Sequence, residues 1–115
     1  MMYKQGDILL IPFPYSDLSA TKQRPVLVVS NSTYNSVNQD IIVVAITSNI
    51  TSREYLVRIT SEDLEEGNLR MESGIRTDKI YTLSGRIVNK KFGHLKPNRM
   101  LEVKQLIKKL FIEQD

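Results

Sequence analysis

Apolar and polar segments alternate along the chain in a way that predicts several short β-strands followed by one helix. Five segments are rich in Val, Ile and Leu and are bounded by turn-forming residues, as strands are: 6–14, 25–30, 40–48, 55–60 and 77–83. The segment 40–48 is apolar almost throughout, which favours a buried central strand. The connections between the strands are polar, and in 61–73 we expect one capped helical turn closed by Gly67.

The last part of the chain changes to a helical period. Pro97 suits the first turn of a helix. One helix face then follows the i, i+3, i+7, i+10 spacing and is widened by two further residues: Met100, Val103, Ile107 and Leu110, with Leu106 and Phe111. We predict a single domain over 1–115, mainly β with a terminal helix (α+β). A small, partly open barrel would occupy about 5–92 and the amphipathic helix about 97–112.

Composition narrows the chemistry that is available to the chain. Its 115 residues suffice for one domain, since domains run to roughly 100–200 residues. The sequence has no Cys and one His, His94, which excludes disulfides, thiolate metal sites and a two-histidine acid–base pair. It has neither a secretory leader nor an apolar run near the roughly 20 residues of a membrane span. We therefore expect a cytoplasmic protein that contacts no membrane and uses no cofactor or metal.

The net charge of +3 is unevenly distributed along the chain. Residues 87–115 hold seven basic and three acidic side chains (+4), whereas 61–86 hold four basic and six acidic ones (−2). A basic excess is typical of proteins that bind a polyanion, but a solvated basic helix produces the same count. Charge alone does not select a nucleic-acid partner.

Two groups of residues near strand ends are candidates for chemistry. Arg24 directly precedes Pro25, and a residue before proline is held in an extended conformation, which fixes the position of the guanidinium. Thr47 and Ser48 follow the buried apolar run and place two hydroxyls at the end of a central strand. These hydroxyls could donate to an anionic oxygen or could cap a turn.

A third candidate is the pair Arg76 and Asp78. Two residues apart in a strand, their side chains leave the same face, which Ile80 and Thr82 would share. The pair is consistent with a surface ion pair worth about 0–1 kcal/mol, or with a charge stabiliser beside a base. Spacing leaves both interpretations open. His94 is interpreted as a loop or cap residue.

Taken in order, five segments resemble the MazF/PemK (Kid) family of toxins from bacterial and archaeal toxin–antitoxin pairs. The segments are GDILLIPFP, KQRPVLVVSN, IIVVAITSN, GIRTDKIYTLS and the helix MLEVKQLIKKL, which together span about 6–111. The resemblance implies an SH3-like barrel with a terminal helix, of the MazF/PemK/CcdB type. It also implies a homodimer, a cognate antitoxin partner, and sequence-selective, metal-independent cleavage of single-stranded RNA.

The resemblance further implies which residues are catalytic. The Arg of the family's RP motif and the hydroxyl that ends the central strand correspond to Arg24 and Thr47, with Ser48 beside the latter. The Arg-x-Asp pair of the PemK/Kid branch, which supplies acid and base, corresponds to Arg76 and Asp78. That branch also uses a His in its first long loop, and this loop contains none here, so the role is vacant or belongs to Arg24.

These groups fit a reaction in which the ribose 2′-OH attacks the neighbouring phosphorus. Our hypothesis is that Asp78 accepts the 2′-OH proton, that Arg24 and Arg76 brace the non-bridging oxygens, and that Thr47 or Ser48 donates to the same oxygens. The general acid stays open because guanidinium, with a pKa above about 12, is a poor acid. The products would be a 2′,3′-cyclic phosphate and a 5′-OH end.

Loops on either side of this centre would select the bases of the RNA. Tyr15, Lys22, Arg53 and Tyr55 are the candidates for RNA binding, although exposed loop residues would look the same.

One alternative function is a toxin of the same fold that acts on DNA gyrase without catalysis, as CcdB does through a Trp-containing end. The chain has no Trp and ends in IEQD, which argues against it. The other alternative is a non-catalytic SH3-like RNA-binding module.

Overall fold

The fold is a strongly curled antiparallel sheet closed by a helix. The computed structural model describes residues 2–14 and 21–113, without the side chains of residues 13, 14, 21 and 22. In order along the chain, its helices and strands are β1 (Asp7–Pro14), β2 (Thr21–Val28), α1 (Ser32–Val37), β3 (Asp40–Thr47), β4 (Leu56–Ile59), β5 (Leu64–Glu66), β6 (Ser73–Ser84), β7 (Lys90–Leu95) and α2 (Pro97–Phe111). The strand order is β4-β6-β3-β2-β1-β7-β5. This partly open barrel with a terminal helix confirms the predicted fold class.

The sheet is buried on both faces. One face, which α2 covers, holds the larger apolar cluster: Ile8, Leu27, Val44, Ile46, Val57, Ile59, Leu64, Ile75, Leu95, Met100 and Val103. The opposite face holds a second cluster: Tyr3, Leu9, Ile11, Val26, Val28, Ile41 and Val43. Successive residues of β3, such as Val43 and Val44, fall in different clusters because side chains alternate across a strand. This alternation explains why the central strand has an almost unbroken apolar sequence.

Helix α2 packs along the predicted stripe, except at its end. Met100 and Val103 are buried, and Leu106 and Ile107 pack against the same cluster. Phe111, which we expected to widen the stripe, is the last residue of the helix and is exposed. At the start of the helix, Arg99 donates a hydrogen bond to a backbone carbonyl of β4. The helix therefore joins the outer strands to the core.

Several boundaries differ from the sequence-based prediction. The first is β2, which begins at Thr21, so that Arg24 lies inside a strand and not at the end of a loop. The expected helical turn is present as a 3₁₀ turn at Ser61–Asp63, but Thr60 caps it, and β5 follows it directly instead of a closing glycine. The barrel also extends beyond 92, because β7 continues to Leu95. Short helix α1 and strands β5 and β7 were not predicted, since each is too short to show a period.

His94 belongs to β7 and contacts a buried carboxylate, that of Asp7. Its Nδ1 lies 2.8 Å from Oδ1 of the buried Asp7, whose Oδ2 accepts a hydrogen bond from the backbone N–H of Lys4. The Lys91 ammonium lies 3.3 Å from the same Oδ1. The interpretation of His94 as a loop or cap residue is therefore wrong: it ties β7 to β1 through a buried carboxylate, as polar groups inside proteins require partners.

Candidate functional site

Three neighbouring strands bring the predicted residues together. In the ladders, Val26 of β2 pairs with Ala45 of β3, and Ala45 pairs with Arg76 of β6. Arg24 lies two residues before Val26, and Thr47 lies two residues after Ala45. Residues two apart in a strand point to the same face. Residues from three distant parts of the sequence therefore share one face of the sheet.

That face carries a pocket of about 340 Å³ at the end of β3. Its lining residues are Arg24, Pro25, Val26, Ala45, Ile46, Thr47, Arg76, Lys79 and Tyr81. Three of the five predicted catalytic residues, Arg24, Thr47 and Arg76, thus meet at one cavity. Ser48 does not line it and is exposed, since the residue after Thr47 points the other way.

A bulge in β6 shapes one wall of the pocket. Val44 pairs with Ile80 while the next residue, Ala45, pairs with Arg76, so residues 77–79 have no partner in β3. Buried Thr77 fixes this bulge, because its backbone N–H and its hydroxyl both donate to the Tyr55 carbonyl, at 3.1 and 2.6 Å. The extra residues increase the local twist and redirect the side chains that follow.

The bulge reverses the alternation along β6. Ile80 packs against the larger apolar cluster, and Tyr81 packs on the other face and lines the pocket with Arg76. The expectation that Ile80 shares a face with Arg76 is therefore wrong. Lys79 and Tyr81 are pocket residues that the sequence analysis missed, because the strand pattern assumed an unbroken alternation.

Arg76 and Asp78 form a two-pronged ion pair at the edge of the pocket. Arg76 Nε donates to Oδ1 at 3.0 Å and Nη2 donates to Oδ2 at 3.1 Å. The side chains are 19% and 35% exposed. The hydrogen bond to Asp78 raises the pKa of Arg76, and the hydrogen bond from Arg76 lowers the pKa of Asp78. Asp78 itself does not line the pocket, but its two hydrogen bonds orient the guanidinium that does.

The pocket is electropositive. Three cationic side chains line it: Arg24, Arg76 and Lys79. The carboxylate of Asp78, at the edge of the pocket, neutralises one of these charges, so the local charge is +2. Thr47 adds a hydroxyl whose oxygen accepts the Asn49 backbone N–H at 3.1 Å. Since that bond uses a lone pair, the Thr47 proton remains for an incoming acceptor. Guanidinium forks and a hydroxyl in a concave surface suit a phosphate group.

A second pocket, of about 360 Å³, lies near the other end of β3, between α1 and the turn at Gly85–Ile87. Arg86 is the one charged side chain among its lining residues in the described parts of the chain. The Asn35 amide of this pocket already donates to the backbone carbonyls of Tyr3 and Ser30. The pocket at the end of β3 that holds three cations is therefore the better anion site.

Of the four residues predicted to bind RNA, the structure describes the side chains of two, Arg53 and Tyr55. Tyr15 lies outside the described residues, and so does the side chain of Lys22. Arg53 is exposed, and Tyr55 is half-buried with the Lys109 ammonium 6.0 Å from the centre of its ring. Neither side chain lines the pocket at the end of β3. The Tyr55 carbonyl, however, accepts the hydrogen bond from Thr77 that fixes the bulge at the wall of that pocket.

Within 2–14 and 21–113, no three His, Asp or Glu side chains are grouped closely enough to hold a metal ion. In the same residues, neither helix has the length and apolar character needed to cross a membrane.

Comparison with solved structures identifies the class of fold. The chain is similar to an endoribonuclease in complex with its cognate antitoxin from a mycobacterial species, with a TM-score of 0.80, 18% identity, and coverage of 98% of this chain and 99% of that chain. A MazE–MazF structure from Deinococcus radiodurans gives 0.76 and 17%, with 99% of both chains covered. A MazF toxin of Mycobacterium tuberculosis gives 0.74 and 18%, with 91% and 95% covered. At these identities the likeness shows the fold, which is that of MazF toxins.

A match to a protein family identifies the protein more specifically than its fold does. Residues 4–111 match the PemK-like, MazF-like toxins of type II toxin–antitoxin systems. Because this span is nearly the whole chain, the protein belongs to that family, which confirms the resemblance seen in the sequence. A comparison with curated protein sequences finds no match.

Proposed function

We propose that the protein is the toxin endoribonuclease of a toxin–antitoxin pair and cleaves single-stranded RNA, such as mRNA, at selected sequences without a metal ion. The observation that carries the proposal is the pocket where Arg24, Thr47 and Arg76 meet. A phosphodiester is the anion that this combination of guanidinium groups and hydroxyl suits. Family membership supports the toxin role. The solved structures of endoribonucleases with this fold support the reaction class.

In the proposed reaction, the ribose 2′-oxygen attacks the adjacent phosphorus and the bond to the 5′-oxygen breaks. Arg24 and Arg76 bind the non-bridging oxygens, where negative charge develops, and Thr47 donates its hydroxyl proton to one of them. Arg76 uses two of its five N–H groups on Asp78, which leaves three for the phosphate. We keep Ser48 as a weaker candidate donor, since it lies one residue outside the pocket. The products carry a 2′,3′-cyclic phosphate and a 5′-OH.

We assign proton acceptance from the 2′-OH to Asp78. Because the hydrogen bond from Arg76 lowers its pKa below the ordinary 3.8, this carboxylate stays ionised at neutral pH and is available as an acceptor. The same bond makes it a weaker base, so proximity must supply much of the rate. The acid–base role and the orienting role are compatible, since one carboxylate has about four lone-pair sites.

This assignment predicts the pH dependence of cleavage. An essential carboxylate must be unprotonated, and a lowered pKa shifts its protonation to lower pH, so kcat/KM should show no acid limb from Asp78 until the pH falls below 3.8. Asp78→Asn should lower kcat/KM by about 10²-fold or more. Rates of cleavage measured across the pH range test both statements.

The matched control is Glu72→Gln. Glu72 pairs with Arg58 through the same two-pronged geometry, at 3.0 Å for both bonds, but outside the pocket. We expect this variant to cleave at the wild-type rate. Equal rates for Asp78→Asn and wild type would remove Asp78 from the reaction. An acid limb in the neutral range that persists in Asp78→Asn would assign proton acceptance to another group.

The function itself is tested with purified protein, a long single-stranded RNA and EDTA. Discrete fragments ending in a cyclic phosphate are expected, and single-stranded DNA of the same sequence should stay intact because it lacks the 2′-OH nucleophile. A single 2′-deoxy substitution at the cut site should block that cut alone. Intact RNA with inhibition of DNA gyrase would support the CcdB-like alternative. RNA binding without fragments would support the binding module.

We also propose a cytoplasmic homodimer that is held inactive by an antitoxin. An acidic or extended segment of the antitoxin would lie across the cationic pocket, where charge favours it over uncharged peptide. Tyr15, Lys22, Arg53 and Tyr55 remain our candidates for contacts with the RNA bases. Sedimentation of the purified protein would measure the dimer, and competition between RNA and the antitoxin peptide would test the shared surface.

A further inference from the structure

The reaction proposed above still needs a group that protonates the leaving 5′-oxygen. An alkoxide is a poor leaving group, so general acid catalysis typically contributes about 10²–10⁴-fold. The Arg24 and Arg76 guanidinium groups are too weakly acidic for this step. The chain's one imidazole, His94, lies on β7, which β1 and β2 separate from β3, and it is paired with Asp7. Within 2–14 and 21–113, the other residues that line the pocket are therefore the candidates for the donor.

We propose that Tyr81 is the general acid of this pocket, an assignment that rests on the proposed nuclease function. Tyr81 lines the same cavity as Arg24, Thr47 and Arg76. A phenol gives up its proton far more readily than a guanidinium does. Among the described lining residues, Tyr81 thus combines an acidic proton with a place at the phosphate site.

Packing against the apolar cluster supports the Tyr81 ring at the pocket wall. The bulge at 77–79 turns Tyr81 to the pocket side, and its ring packs against the apolar cluster that contains Val26 and Val43. A ring fixed by packing keeps its hydroxyl at one position at little further cost in entropy. Lys79, the other lining residue with an acidic proton, is exposed, and its flexible side chain has no such support.

Arg76 lies close enough to Tyr81 to assist the transfer. The pKa of Arg76 is raised first by its hydrogen bond to Asp78 and additionally by the negative charge of an ionised Tyr81. The same attraction would stabilise the charge that develops on the phenolic oxygen as its proton leaves. Arg76 thus contacts Asp78 directly and shares the pocket with Tyr81, which places one guanidinium near both the proposed base and the proposed acid.

The step balances without any further reagent. The 2′-oxygen forms a bond to phosphorus as its proton passes to the Asp78 carboxylate. The bond from phosphorus to the 5′-oxygen breaks, its electron pair stays on that oxygen, and the Tyr81 phenol supplies the proton that makes it a 5′-OH. Solvent then carries the proton from Asp78 to the Tyr81 phenolate, which restores both groups.

The test compares Tyr81→Phe with wild type on two RNAs of one sequence. The first is unmodified, and the second has sulfur in place of the leaving 5′-oxygen. A thiol ordinarily titrates near 8.5, so a thiolate leaves without protonation. On unmodified RNA, Tyr81→Phe should lower kcat by about 10²-fold with KM little changed. On the sulfur-containing RNA, its rate should come within about 10-fold of wild type, because no acid is needed.

Two controls separate this inference from the proposed function. Arg24→Ala should be slow on both RNAs, because phosphate stabilisation is needed whatever group leaves. Lys79→Met tests the competing donor: because it removes one pocket charge, it should slow cleavage of both RNAs to the same extent, without the selective recovery on the sulfur-containing RNA that Tyr81→Phe shows. A wild-type protein that cleaves neither RNA would overturn the nuclease function. Wild-type cleavage with an unimpaired Tyr81→Phe, or with an equal loss on both RNAs, would overturn only the role of Tyr81.

Discussion

The Arg24→Ala variant is expected to lose about 10²–10³-fold in RNA cleavage, the usual effect of removing one donor to a developing oxyanion. Arg24 is held by a strand and by the proline that follows it, and it lines the pocket beside Thr47 and Arg76. Its guanidinium is therefore preorganised, and alanine removes both the charge and the fork of N–H donors. Single-turnover cleavage of a labelled RNA measures the loss.

Two further variants make the result specific. Arg24→Lys keeps the charge without the planar fork, and we expect it to recover less than about 10-fold of the lost rate. Arg70→Ala removes an exposed arginine that does not line the pocket, and it should cleave like wild type. Undiminished cleavage by Arg24→Ala, with an unfolding transition like that of wild type, would show that the pocket is not the catalytic centre.

The second large effect concerns stability. Ile75 is 0% exposed and lies in β6 between Ile46 of β3 and Val57 of β4, its partners in the two ladders. Ile75→Ala removes methyl groups from the centre of the larger apolar cluster and leaves a cavity. We expect the free energy of unfolding to fall by about 2–5 kcal/mol. Out of a typical total of roughly 5–15 kcal/mol, this is a large fraction.

Urea unfolding at one fixed protein concentration measures this change, since a dimer's stability depends on concentration. Ile112→Ala is the matched control, because the same atoms are removed from a side chain that is 52% exposed at the end of α2. Its effect should stay within about 0.5 kcal/mol. Equal losses for the two variants would mean that burial of β6 does not hold the sheet together.

Hydrophobic pattern predicted the elements that have many buried residues. The apolar run that forms β3 and the helical spacing that forms α2 both carry enough residues to show a period. Short elements such as β7 do not, and this is why His94 was placed in a loop. Phe111 fits the helical pattern but is exposed at the end of the helix, which no local pattern reveals.

The residues of the candidate site also separate into those that the sequence predicted and those that depend on the tertiary structure. Arg24, Thr47 and Arg76 were selected from motif order and strand ends, and the structure places them at one pocket. Ser48 was selected by the same reasoning and points away from it. Tyr81 escaped notice because strict alternation puts it on the face opposite to Arg76, and the bulge in β6 reverses that alternation.

The sequence by itself determined where the longer strands lie, which face of α2 is apolar, and which chemical groups are available to the site. These properties follow from the spacing of residues near one another in the chain. Only the tertiary structure decided that β2, β3 and β6 are neighbours in register. It also decided that buried Thr77 bonds to the Tyr55 carbonyl at a bulge after which Tyr81 lines the same pocket as Arg76. Pairing between distant segments sets these positions. The register of each ladder depends on which side chains the whole sheet buries, and no single strand determines it.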